Sequence, residues 1–211
     1  EWIVKILQEI YGDELKSVYD KSESTLPKKG PVTPANEHLF GKDKYTIVKE
    51  NGLNFEIDWT SGQKTGFFVD QRENRHLLQA YSKNRNVLNM FCYTGGFSVY
   101  ALRGGAELVH SVDSSAKAID LVNKNVELNF TNAPHESFAV DAFKYLNDIK
   151  DKYDLIVLDP PAFAKHQNVL SNALQGYKRL NQQALAQIKS GGILFTFSCS
   201  QVIDKQLFRK V

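Results

Sequence analysis

The stretch Val87-Leu88-Asn89-Met90-Phe91-Cys92-Tyr93-Thr94-Gly95-Gly96-Phe97 decides the fold class. It opens as an apolar strand, closes on two adjacent glycines and runs into a helical pattern near Phe97–Leu102. Downstream the alternation recurs: strand Leu108–Val112, helix near Ala116–Leu128, strand His135–Val140, helix near Phe143–Ile149. Strand Leu155–Leu158, a helix near Leu170–Ile188 and strand Ile193–Phe197 complete it. The long helix carries Leu170, Leu174, Tyr177, Leu180, Ala184 and Ile188, three or four residues apart, which is the period of a buried helical face. Five strands alternating with helices predict an α/β fold with a mainly parallel sheet.

Upstream the text changes character. Residues 1–70 are short-segmented, polar and turn-rich, and predict a small α+β subdomain with an RNA-binding or linker role, ahead of a main domain over 71–211. Lys21 to Pro34 is a loop by composition, and Leu53, Phe55, Ile57 and Trp59 alternate just after Asn51-Gly52, a hairpin signal. A helix is expected from about Gln71 to Tyr81.

With 211 residues, 42% of them hydrophobic, the chain can bury a sizeable core. A net charge of +2 permits a nucleic-acid partner without arguing for one. Two cysteines make no disulfide framework, so a reducing, cytoplasmic setting is the simpler reading. No apolar run approaches the roughly 20 residues of a membrane span, and no metal-ligand spacing is present. The chain starts without methionine inside an apparent helix and stops inside another, which reads as a piece of a longer protein, truncated in its main domain.

In an open parallel sheet, ligands collect at the carboxyl ends of the strands. After the first strand, Gly95 and Gly96 allow close approach of backbone to a ligand, although the dinucleotide fingerprint Gly-x-Gly-x-x-Gly is absent. After the second comes Asp113, 18 residues past Gly95, placed to bind ribose hydroxyls; a helix N-cap by Asp113 itself, with Ser114 and Ser115 following, is the packing alternative. After the third, Asp141-Ala142-Phe143 suits adenine, but a helix N-cap is the better reading of Asp141 alone. After the fourth, Asp159-Pro160-Pro161 makes a stiff, acidic wall. After the fifth, Cys199 lies between two serines at the end of a strand read as buried. Cys92, inside the glycine loop, reads as packing or cofactor contact rather than as a nucleophile.

Taken together, Asn89 to Phe97, Val112-Asp113-Ser114, Asp141-Ala142-Phe143, Asp159 to Lys165 and Phe197-Ser198-Cys199-Ser200 resemble the class I S-adenosylmethionine-dependent methyltransferases, which are Rossmann-like. More narrowly they look like the bacterial large-subunit (23S) ribosomal RNA cytosine-5 methyltransferases that carry an N-terminal PUA domain. Phe67 to Arg75 matches that family's block ahead of the first core strand. The resemblance implies S-adenosylmethionine as cofactor, held by Phe91, Tyr93, Thr94 and Gly95 at its methionine end. Asp113 and Ser114 would take the ribose, and Asp141, Ala142 and Phe143 the adenine. Asp159 would border cofactor and target base; Pro160, Pro161, Phe163 and Lys165 would face the RNA. Cys199 would be the nucleophile, adding to C6 of cytosine so that C5 can take the methyl group.

The PUA domain and the family's last strands lie outside this sequence. RNA contact would then fall to Lys28, Lys29, Lys42, Lys44, Lys165, Lys178 and Arg179, most of them ordinary solvated surface, and to Arg72 and Arg75, expected at cofactor or phosphate. Many RNA cytosine-5 enzymes have a second cysteine where this chain has Ala162, so a one-cysteine mechanism is implied. Ribosomal RNA is the expected partner, with no membrane; the oligomeric state is open, a homodimer being one option. Two rivals stand beside this reading: methylation of guanine N2 or another nitrogen, which needs no thiol, and a non-catalytic cofactor- or RNA-binding module.

Overall fold

The computed structural model describes residues 2–24, 26, 34–164, 169–200 and 202–211. Lys28, Lys29 and Lys165 lie outside the described residues. The chain divides into two compact units, residues 1–48 with 56–68, and residues 49–55 with 69–211.

The first unit opens with helix α1 (Trp2–Tyr11) and an antiparallel ribbon of β1 (Val18–Lys21) and β2 (Asn36–Phe40). No sequence signal had marked that ribbon. A second ribbon pairs β3 (Tyr45–Glu50) with β4 (Leu53–Asp58), and its tip belongs to the second unit. At the tip Asn51 and Gly52 both have positive φ, +49° and +84°. Two left-handed residues in a two-residue turn give the twist that antiparallel strands need. The alternation along β4 buries Leu53, Phe55 and Ile57, as the sequence pattern requires.

The second unit adds helix α2 (Arg72–Tyr81) and then the alternating region: β5 (Asn86–Met90), α3 (Gly96–Arg103), β6 (Leu108–Asp113), α4 (Ala116–Glu127), β7 (His135–Ala139), α5 (Ala142–Tyr145), β8 (Leu155–Leu158), α6 (Leu170–Gln187), β9 (Ile193–Thr196) and α7 (Lys205–Phe208). The five strands form one parallel sheet in the order β7-β6-β5-β8-β9. The α/β class read from the sequence is the fold. β5 and β8 lie centrally and are covered on both faces, which is why they read as unbroken apolar runs. On one face Leu88, Met90, Ile156 and Leu158 join Leu146, Leu180 and Ala184 in a core under α5 and α6. On the other, Asn89 and Ser111 meet Ser98 of α3.

The chain leaves the centre through β5, works outward to β7, then returns to β8 and works outward the other way. The strand order therefore reverses between β5 and β8, and a crevice opens there at the carboxyl ends. The turn after Met90 and the turn after Leu158 are its two lips. Two details differ from the sequence reading. β9 is a half-buried edge strand rather than a buried one, pairing only with β8 among the described residues. The inward face of α6 is Ala173, Tyr177, Leu180, Asn181 and Ala184, with Leu170 and Leu174 only half-buried at its margin.

Candidate functional site

The first lip is built mostly from backbone. Past Met90 the chain passes through three left-handed residues, Phe91, Tyr93 and Gly95, with φ of +57°, +46° and +77°. Phe91 and Tyr93 hold that conformation against their own Cβ atoms, at about 1–3 kcal/mol each. Hydrogen bonds from the surroundings impose it. Cys92 N donates to Val112 O at 3.1 Å, Gly95 N to Cys92 O at 2.8 Å, and Asn125 Nδ2 to Thr94 O at 2.9 Å. A Cβ on Gly95 would come within 3.0 Å of Val122, and one on Gly96 within 2.9 Å of Arg75 Cδ. The turn is thus pressed between α4 and α2, with no space for side chains at its two glycines.

Asp113, at the end of β6, uses both carboxylate oxygens on backbone: Tyr93 N donates to Oδ2 at 3.1 Å and Ser115 N to Oδ1 at 2.9 Å. Ser115 caps α4 through its side chain, while Ser114 is exposed beside Asp113. Beneath the turn runs a buried polar chain: Asn89 Nδ2 donates to Ser98 Oγ at 2.8 Å, Ser98 Oγ meets Ser111 Oγ at 2.7 Å, and Ser111 Oγ meets His135 Nε2 at 2.8 Å. Burial, with His110 adding repulsion, pushes His135 down to about 4, so it stays neutral in that chain. Among the described residues, Asn89 Oδ1 is a buried side-chain oxygen with no hydrogen-bond partner. Burial and the nearby Asp113 charge push the Cys92 thiol well up, so it stays protonated.

At the end of β7, Asp141 Oδ1 accepts from Lys144 N at 3.0 Å and caps the four-residue helix α5. The capping alternative is therefore what Oδ1 does, and Oδ2 carries no part of it. Ala142 is buried, and Phe143 is half-buried with the Arg179 guanidinium 5.5 Å from its ring centre.

The second lip is made of side chains. Asp159 follows β8, and Gln71 Nε2 lies 3.5 Å from each of its oxygens. Asn74 Nδ2 donates to Gln71 Oε1 at 2.6 Å, which fixes the way the Gln71 amide faces. Burial and then the charge of Asp70 push the Asp159 carboxyl up to about 6, against a smaller opposing pull from Arg75. The group therefore changes charge close to neutral pH. Pro160 is buried and Pro161 exposed. Cys199, three residues past β9, is exposed, and its Sγ lies 3.8 Å from Pro160 O. Its neighbour Ser200 is buried: Ala164 N donates to Ser200 Oγ at 3.4 Å and Tyr177 OH meets it at 3.1 Å. One serine thus ties the cysteine turn to the Asp-Pro-Pro loop and to α6.

Three expectations change. Arg75 is 3% exposed, with Nε and Nη2 on the two oxygens of Glu50 at 2.9 and 2.8 Å. It is structural, not a phosphate contact. Arg72 remains half-exposed but also bonds Glu50, at 3.3 Å. Phe163 is half-buried, packing on Tyr177, ring centres 4.5 Å apart, and against Gly176 of α6. The sequence reading missed Glu50, Gln71, Asn74 and Tyr177. Gln71 and Asn74 stood inside the block Phe67 to Arg75, four and one residues before Arg75, where a polar helix start held next to a strand end was the available signal. Among the described residues no three His, Cys, Asp or Glu side chains gather where a metal ion could sit, and no helix is long and apolar enough to cross a membrane.

Comparison with known proteins decides what this crevice belongs to. A family model described as S-adenosylmethionine-dependent methyltransferase matches residues 28–208. The chain belongs to the S-adenosylmethionine-dependent methyltransferase family. Among curated relatives, the Ribosomal RNA large subunit methyltransferase I of Aliivibrio fischeri is 39% identical over 217 residues, covering 100% of this chain and 54% of the relative. This methyltransferase chain thus spans about half the length of the curated relatives it matches. A methyltransferase crystallised in complex with SAH superposes with a TM-score of 0.79 at 28% identity, over 99% of this chain and 54% of the other. A tRNA m1G37 methyltransferase from M. jannaschii, at 22% identity and a TM-score of 0.66 over 100% of this chain and 59% of its own, shares the fold alone.

Proposed function

We propose that the full-length protein transfers a methyl group from S-adenosylmethionine to C5 of a cytosine in large-subunit (23S) ribosomal RNA, in the cytoplasm, through a covalent bond from Cys199. The observation that carries this reading is the exposed Cys199 thiol set against the Asp159-Pro160 loop at the point where the strand order reverses. The substrate class is supported by the curated relatives, which are large-subunit ribosomal RNA methyltransferases.

The first lip suits the cofactor. Its glycine turn is packed so closely on Val122 and Arg75 that a Cβ at either glycine would displace it, a buried Asn89 oxygen beneath it has no hydrogen-bond partner among the described residues, and the Asp113 carboxylate is held by two backbone donors. Phe91, Tyr93, Thr94 and Gly95 would hold the methionine end, Asp113 and Ser114 the ribose, and Asp141, Ala142 and Phe143 the adenine. When bound, the cofactor supplies an electrophilic methyl group on a cationic sulfur.

C5 of cytosine is a poor nucleophile, and the protein's task is to activate it. Attack of the Cys199 thiolate at C6 forms an S–C6 bond and moves the ring electrons so that C5 becomes enamine-like. Asp159, titrating near 6, is suited to hold the protonated N3 or the amino group while that charge develops. After C5 is methylated, loss of its proton restores the double bond and expels the thiolate. Ala162, where a second thiol would stand, leaves Cys199 to enter and leave unaided.

The test is Cys199→Ala in the full-length protein on 23S ribosomal RNA. Methyl transfer is expected to fall by about 10⁴-fold or more, with cofactor affinity unchanged. Retained transfer would overturn the cytosine-C5 reading in favour of a nitrogen acceptor.

A further inference from the structure

Glu50 stands at the tip of the β3–β4 hairpin and is 5% exposed, an unusual place for a carboxylate. Burial pushes its carboxyl up, but hydrogen bonds and charge from Arg75, with help from Tyr100 and Arg72, outweigh burial and hold it below the ordinary carboxylate value. Arg75 grips both its oxygens, and Tyr100 OH donates to Oε1 at 3.0 Å. Arg75 in turn occupies the space where Gly96 would carry a Cβ, so the guanidinium stem forms the floor of the glycine turn. Arg75 also lies one helical turn after Gln71, the residue whose amide reaches Asp159. One buried pair therefore touches the first lip directly and faces the second along α2.

We propose that Glu50 is a positioning residue for this site, its two-point hold on Arg75 seating the Gly95-Gly96 turn and partly offsetting the positive charge that Arg75 exerts on Asp159. The inference rests on Asp159 belonging to the reaction site. The groups that face Asp159 are Asp70 from the turn before α2, which opposes its ionisation, and Arg75 from α2, which favours it. The Cys199 thiol lies against the adjoining Pro160. With Glu50 neutral, Arg75 loses this buried counter-charge, its pull on Asp159 grows and Asp159 ionises at lower pH.

The experiment uses the full-length protein labelled with ¹³C at aspartate carboxyls, the Asp159 signal being assigned by its loss in Asp159→Asn. Binding of S-adenosylhomocysteine is measured by calorimetry on the same samples. In Glu50→Gln, the Asp159 midpoint is expected to drop by about one pH unit and the S-adenosylhomocysteine Kd to rise about tenfold. A parent-like value of either quantity overturns the proposal. Loss of one partner from a buried pair can prevent folding, so the neutral pair Glu50→Gln with Arg75→Gln is the second variant. Its Asp159 midpoint is expected at or above that of the parent, and a midpoint below the parent overturns the proposal. Neither readout uses methyl transfer, so failure here leaves the cytosine-C5 reading standing, and failure of that reading leaves this one measurable.

Discussion

The two lips of the crevice face each other but are made differently. The lip after β5 is held by main-chain hydrogen bonds around two glycines, with Asp113 tied at both oxygens to backbone N–H groups. The lip after β8 is held by side chains: Gln71 at Asp159, and Tyr177 with Ser200 beneath Cys199. A backbone cradle accepts one ligand shape and tolerates little change. A side-chain lip can change charge and reactivity one residue at a time. Under the proposed function the cofactor takes the first lip and the chemistry the second, so damage to each should show in different measurements.

The largest expected break is at the first lip. Gly96→Val puts branched carbon into the space of Arg75 Cδ, 2.9 Å from the Cβ position. A loss of about 3 kcal/mol in stability is expected, with S-adenosylhomocysteine binding lost in calorimetry. Retained binding would mean that the turn is not the cradle.

Next comes Asp159→Asn, which separates the lips by sign. The folded-state value of about 6 lies above the 3.8 of an unperturbed carboxyl, so the folded protein holds this proton longer than the unfolded chain. The stability this group contributes is then fully present below about pH 4 and is lost as pH rises through 6. Replacing the carboxyl by an amide removes that decline. Denaturant melts at pH 8 should show the variant more stable than the parent by on the order of 1–2 kcal/mol, with the gap closing near pH 4, while methyl transfer falls. A variant less stable at pH 8 would contradict the raised value.

A smaller effect is expected from Tyr177→Phe, which removes the hydroxyl 3.1 Å from Ser200 Oγ. About 1 kcal/mol of stability should go, and kcat should fall several-fold, because the serine that anchors the cysteine turn is loosened. Cofactor affinity should not move; if it does, the lips are not separable in this way. The smallest is Asp141→Asn, which keeps a capping side chain, so stability should stay within about 0.5 kcal/mol. A few-fold loss of S-adenosylhomocysteine affinity would then isolate an adenine contact of the carboxylate from its capping work.

The same contrast explains what could be read from the sequence. The alternating strands, the Asn51-Gly52 hairpin and the residues following each strand were legible, because period and turn chemistry are local. The ribbon of β1 and β2 was not, because neither strand alternates cleanly between apolar and polar: its burial pattern is uniformly intermediate in β1. The edge position of β9 depends on how many strands flank it, which no local pattern encodes. Arg75 looked like a free cation because its partner, Glu50, lies 25 residues away. Phe163 looked like an RNA-facing residue because Gly176, which makes room for it on α6, is visible only once the helix packs.

The most direct test of the central claim is covalent capture. The full-length protein is incubated with S-adenosylmethionine and a ribosomal RNA fragment carrying 5-fluorocytidine, whose fluorine cannot leave as the proton does, and the digest is read by mass spectrometry. The account expects a methylated nucleotide joined to the peptide that contains Cys199. RNA methylated by this protein at a nitrogen, with the Cys199 peptide unmodified, would contradict it.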